Sequence, residues 1–136
     1  EYGMPGAEEG IHRIRLKDGG ELLEFPMSTV RFLGRQWAVC GGGYFRLLPY
    51  GVTRRALRRV SVADQPFVFY LHPWEIDPDQ PRLHERASRL GRFRHYLNLS
   101  RTESRLIRLL DEFEFGTMGD VFSWAEGRGE LPVVTY

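Results

Sequence analysis

Pro66-Phe67-Val68-Phe69-Tyr70-Leu71-His72-Pro73-Trp74 is a run of apolar and aromatic residues bracketed by prolines. A β-rich run of this length between turn formers predicts a buried strand, and Pro73 ends regular pairing just after His72. In α/β folds chemistry collects where strands end, so His72 becomes the residue around which a function is sought.

Working outward, Ile11 to Leu16 predicts a short strand and Asp18-Gly19-Gly20 a turn. Glu21 to Arg31 alternates imperfectly and contains Pro26, which suits an edge strand. Arg35 to Val39 is a second extended piece running into Gly41-Gly42-Gly43, where the backbone is free to approach a neighbour closely. Leu48, Val52, Ala56 and Val60 recur every fourth residue behind Pro49, predicting a helix from about Pro49 to Val60. After His72, Glu75 to Asn98 reads as a long polar excursion holding Arg92-Phe93-Arg94-His95-Tyr96. Ser100 and Glu103 have capping-box spacing, and Leu106, Leu109, Leu110 and Phe113 form the apolar stripe of a further helix. Phe113 to Met118 suits a last strand and Gly119 to Trp124 a short helix. The order of elements favours α/β, divided into an opening loop (1–20), a main region (21–124) and an irregular tail (125–136).

The chain has 136 residues, one domain's length, and its 42% hydrophobic and 13% aromatic content is that of a globular protein. Nineteen Lys+Arg against 18 Asp+Glu argue against a bulk electrostatic partner such as DNA or an anionic membrane. Every basic residue but Lys17 is arginine, and Arg54, Arg55, Arg58 and Arg59 crowd one segment, which reads as a solvated helix face. No apolar run of about 18 residues is present, so no membrane span is expected. A single cysteine, Cys40, excludes an intrachain disulfide, has no base beside it and reads as packing. The opening Glu1-Tyr2-Gly3-Met4-Pro5-Gly6 has the character of a loop inside a longer protein and suggests a fragment.

Four motifs in order, Glu21 to Arg31, Gly41 to Tyr50, Phe69 to Pro81 and Arg92 to Tyr96, resemble the C-terminal half of NodB-type polysaccharide deacetylases, carbohydrate esterase family 4. The nearest likeness is the subfamily found with exosortase and exopolysaccharide loci, and it covers roughly residues 20 to 122. The resemblance implies the C-terminal part of a distorted (β/α) barrel and a metal-dependent hydrolysis of N-acetyl groups on an amino-sugar glycan. In that family a Leu-His pair closing a late strand supplies the catalytic histidine, which Leu71-His72 matches. Amide hydrolysis must expel an amine, a poor leaving group unless protonated, and imidazole can donate that proton near neutral pH. A neighbouring leucine helps enclose the acetyl methyl group.

The resemblance also implies that the metal triad and the catalytic base lie before residue 1. His12, His72, His84 and His95 include no pair at helical metal-ligand spacing, and no Asp-Asp pair occurs. A catalytic site needs about three protein ligands, so a divalent metal, zinc by the resemblance, is expected in the full-length parent and none on this chain alone, which is expected to be inactive. The implied partners are a polysaccharide substrate and either the N-terminal half of the enzyme or a second copy of the chain, with no nucleic acid and no membrane span.

A lone histidine at a strand end is more often structural than catalytic, and the flanking motifs reverse that preference for His72. Glu24, Glu75 and Asp77 are candidates to orient it, each equally readable as a solvated rim carboxylate. Arg46 either pairs with a carboxylate of the other half, meets glycan, or covers a strand edge. Trp74 and Tyr44 are candidate sugar-stacking platforms, with core packing the competing reading. A noncatalytic glycan-binding or partner-binding module is the alternative function.

Overall fold

The computed structural model describes residues 6–32, 34–62, 66–82 and 88–135, and shows a mixed α/β fold with two small sheets. Strands β1 (His12–Arg15) and β2 (Glu21–Glu24) form an antiparallel hairpin with His12 opposite Glu24 and Arg15 opposite Glu21. β3 (Val30–Phe32) and β4 (Arg35–Trp37) form a second hairpin, turned by Gly34 at φ +73°, a dihedral that favours glycine. The predicted strand from Glu21 to Arg31 is thus two strands of separate sheets, parted at Phe25 to Thr29 beside Pro26.

Helix α1 (Gly42–Leu47) follows the glycines, and α2 (Tyr50–Val62) starts where Pro49 accepts the Val52 N–H at 2.9 Å. The α2 face turned inward carries Tyr50, Thr53 and Leu57, whereas Val52 is exposed, so the buried stripe is rotated from the predicted row. Glu75 to Asn98 is not all loop, because α3 (Arg89–Tyr96) forms there behind Ser88, whose Oγ accepts the Gly91 N–H at 3.1 Å. It buries no residue.

α4 (Leu99–Glu112) begins one residue before the expected cap. Asn98, at φ 54°, is the N-cap and turns its side-chain amide to the Arg46 carbonyl at 2.7 Å, so a tertiary contact takes the place of the Ser100–Glu103 box. Phe113 to Met118 is not a strand. Phe113 ends α4, and Thr117 with Asp120 makes the capping box of α5 (Met118–Gly127). The tail is not wholly irregular either: β5 (Val133–Val134) adds in parallel to the free edge of β1, giving the order β2-β1-β5.

The largest departure concerns Pro66 to Leu71, which joins neither sheet. Its one bridge is parallel, Gly41 with Tyr70, closed by Tyr70 N–H to the Cys40 carbonyl and Gly42 N–H to the Tyr70 carbonyl, both 3.1 Å. The segment is held by side chains instead. Phe67, Phe69 and Leu71, at alternate positions, pack on the core of Val39, Cys40, Phe45, Tyr50, Leu57 and Leu109. Edge-to-face rings lock it: Phe69 lies 5.0 Å from Phe45, and Phe67 lies 5.5 Å from Phe113 and 5.6 Å from Phe115. Among the described residues no helix is long and apolar enough to cross a membrane.

Candidate functional site

The site grows from Gly41 and Gly42. A Cβ on Gly41 would lie 2.7 Å from the Tyr70 ring, and one on Gly42 would fall inside the Glu75 carboxylate, within the 3.0 Å that real Cβ contacts keep. Gly43 faces open space, so close approach accounts for two glycines of the three.

Glu75 belongs to a single 3-10 turn, Pro73–Ile76, whose N-cap is His72. One carboxylate oxygen takes Arg46 Nε at 3.1 Å and Nη2 at 3.0 Å, and the other accepts the His72 backbone N–H at 2.9 Å. Both side chains are almost fully buried, Arg46 at 5% and Glu75 at 2% exposure. Nη1 of Arg46 meets the carbonyls of Arg94, His95 and Leu97 at 2.6 to 3.3 Å, which fixes the C-terminal turn of α3. Arg105 of α4 does the same for α1, reaching the Phe45, Arg46 and Leu48 carbonyls. Every group of this buried pair therefore has a partner, the condition under which a desolvated ion pair persists.

Above the pair stands a column of rings. Trp74 stacks on His95 at 4.3 Å and 18°, and His72 on Trp74 at 5.6 Å and 9°. Tyr70 meets His72 edge-on at 5.9 Å, while the Arg46 guanidinium lies 5.1 Å from the Trp74 centroid. Gln80 donates through Nε2 to the carbonyls of Trp74 (2.7 Å) and Asp77 (2.9 Å). Its Oε1 is left as acceptor, so His95, 2.9 Å away, donates from Nε2–H. The imidazole of His72 is exposed at the top of the column.

The residues singled out from sequence divide accordingly. His72, Leu71, Trp74, Arg46 and Glu75 come together, with Leu71 half-buried against the core. Arg46, for which a carboxylate of the other half, a glycan and a strand edge are the alternatives from sequence, has its donors satisfied by Glu75 and the carbonyl end of α3. Trp74 is engaged by His72, His95 and Arg46, and Tyr44 is half-buried edge-on to Trp37 at 6.4 Å. Of the three orienting candidates, Glu75 alone reaches His72, through its backbone. Glu24 faces His12 of β1, whose Nε2 is 3.2 Å from it, and Asp77 accepts the Asp79 N–H at 3.0 Å. His84 lies outside the described residues. Gln80 and the role of His95 escaped sequence reasoning; the only signal was that both lie within quoted motifs.

Cys40 is fully buried beneath the bridge, and burial pushes its thiol up to about 12 despite a hydrogen bond with Ser28 that acts the other way. It is a protonated packing group, as an isolated cysteine without a nearby base suggests. Among the described residues no group of three His, Cys, Asp or Glu side chains could hold a metal ion.

No curated protein and no solved structure matches the chain. The model of one family, described as a domain of unknown function, matches residues 1–123. That span holds the glycine turn, the buried Arg46–Glu75 pair and the ring column, and covers most of the sequence, so the chain belongs to the DUF3473 family.

Proposed function

We propose that the chain is the C-terminal part of a metal-dependent polysaccharide deacetylase acting on N-acetyl groups of an amino-sugar glycan, and that it contributes to a distorted (β/α) barrel. The observation that carries this reading is the exposed imidazole of His72, presented on stacked rings over a buried ion pair that holds its backbone. The family is one associated with C-terminal regions of polysaccharide deacetylases, which agrees with the four motifs.

In this reading His72 donates the proton that lets the amine depart, a step for which an imidazole is suited near neutral pH. Leu71 lies against the acetyl methyl group. In this reading the metal ligands and the catalytic base are supplied by other residues of the parent, and this chain alone is inactive. A partner follows from that: the N-terminal half of the enzyme. The test is acetate release by the full-length parent from acetylated amino-sugar oligomers, with and without divalent metal and with His72→Ala. Full turnover by that variant removes His72 from the chemistry.

A second reading, a glycan-binding module without catalysis, is favoured by the exposed aromatic and arginine side chains of α3. It predicts sugar binding with no acetate release even in the parent.

A further inference from the structure

Helix α3 is held by its carbonyl end and by His95 stacked on Trp74, buries no residue fully, and leaves Arg89, Leu90, Phe93 and Arg94 exposed at the surface. There a cleft of about 360 Å³ is lined by Arg82, Arg89, Arg92, Phe93, Tyr96 and Leu97. Among the described residues half of the lining carries guanidinium and none of it is acidic. Among the described residues none of the three arginines forms an ion pair, in contrast to Arg13, Arg15, Arg31, Arg46, Arg54 and Arg108. Three like charges around one cleft repel one another, and an anionic ligand relieves that repulsion.

The apolar part of the lining narrows the ligand's chemistry. Phe93 is 59% exposed and Tyr96 carries the Arg82 guanidinium 5.1 Å from its ring centroid. A pyranose offers an apolar face to such rings, and a guanidinium fork matches a carboxylate bidentately. The cleft also adjoins the His72 column, since Tyr96 meets His95 edge-on at 4.6 Å, His95 stacks on Trp74, and Trp74 on His72. A linear oligosaccharide lying in the cleft is thus three ring contacts from the imidazole.

We propose that this cleft binds carboxylate-bearing sugars, which makes the glycan an acidic amino-sugar polysaccharide of the uronate type. The inference rests on the glycan reading above, though not on catalysis. A nucleic acid is disfavoured because the chain's overall charge is +1 and the three arginines serve one cleft instead of a stripe along a phosphate backbone.

The test titrates the full-length parent, kept free of metal so that no probe is hydrolysed, with three probes: a hyaluronan hexasaccharide, alternating glucuronate and N-acetylglucosamine; a chitin hexamer, with the same amino sugar and no carboxylate; and a thymidine hexanucleotide. Hyaluronan is expected to bind about tenfold tighter than chitin, and Arg89→Gln/Arg92→Gln to remove that advantage. Phe93→Ala weakens both sugars. All three positions lie on the surface of α3, so the fold survives the changes. Equal affinity for the two sugars, hyaluronan binding unmoved by the double variant, or tighter binding of the nucleotide overturns the proposal. Acetate release by the parent is scored separately: release without preference for acidic oligomers sinks the cleft and spares the deacetylase, while acidic-sugar binding without release does the reverse.

Discussion

Gly42→Ala tests the centre of the site. The added Cβ would enter the space of the Glu75 carboxylate, which is itself buried and held by Arg46 and the His72 N–H. The carboxylate cannot shift and keep both partners, so the substitution breaks a buried ion pair without touching either charged residue. Leaving a buried charge uncompensated costs about 3–5 kcal/mol, and replacing a helical glycine by alanine returns up to about 1 kcal/mol. A net loss of about 3 kcal/mol is a large share of the roughly 5–15 kcal/mol by which domains are stable. Gly43→Ala, one residue on in the same helix and facing open space, should instead be neutral or stabilise by up to about 1 kcal/mol. Urea unfolding followed by tryptophan fluorescence separates them. With a slope of about 1–3 kcal/mol/M, the midpoint of Gly42→Ala falls by about 1–3 M while that of Gly43→Ala holds or rises. Both must be run at one protein concentration, because any self-association shifts the midpoint. Coincident midpoints for the two variants would refute the argument that the Glu75 carboxylate is locked in place.

In the full-length parent, His72→Ala should lower kcat by about 10²–10⁴, the range for general acid–base catalysis, with metal affinity unchanged; a simultaneous loss of bound metal by elemental analysis would contradict the assigned role. The buried Cys40 thiol stays protonated in the fold up to about 12, whereas the unfolded thiol ionises near its ordinary 9.0, so folding stability is intact below 9.0 and falls as pH rises from there toward 12. The slope attributable to Cys40 is about 1.4 kcal/mol per pH unit, and a Cys40→Ala chain whose alkaline stability falls as steeply as wild type rules it out. Trp37, Val52 and Leu22 are exposed on the described surface, and an apolar groove of about 430 Å³ runs between β3, β4 and α2. The isolated chain should therefore self-associate at micromolar concentration unless the N-terminal half is supplied; sedimentation as a monodisperse, cooperatively unfolding monomer argues for a self-sufficient module.

Elements with a strong local signature were legible from the residues alone. The helical character of α2 and α4, the strand β1 and the turn at Asp18-Gly19-Gly20 behind it each follow from a few neighbouring side chains. Where sequence reasoning failed, the deciding partner was distant. Pro66 to Leu71 has the composition of a buried strand, yet aromatic packing uses its side chains and leaves it one backbone bridge. α3 buries no residue in the core and is held through Arg46, and Asn98 caps α4 by serving α1. β5 is two residues long, too short for any pattern.

The candidate site divides along the same line. Composition and motif order alone picked out His72, Arg46, Glu75, Trp74 and the glycines, because a proline-bounded aromatic run and a triple glycine are local anomalies. Tertiary structure alone decided what they do to one another: the Arg46–Glu75 pair spans 29 positions, and the Arg46 bonds to α3 about 50. An ion pair's free energy depends on burial and on the partners of every remaining donor, and neither is a property of the residues nearby in the chain. The sequence therefore determined which side chains are unusual, and the packing of α1, α3 and the 3-10 turn around one carboxylate determined that His72 is the one left facing outward.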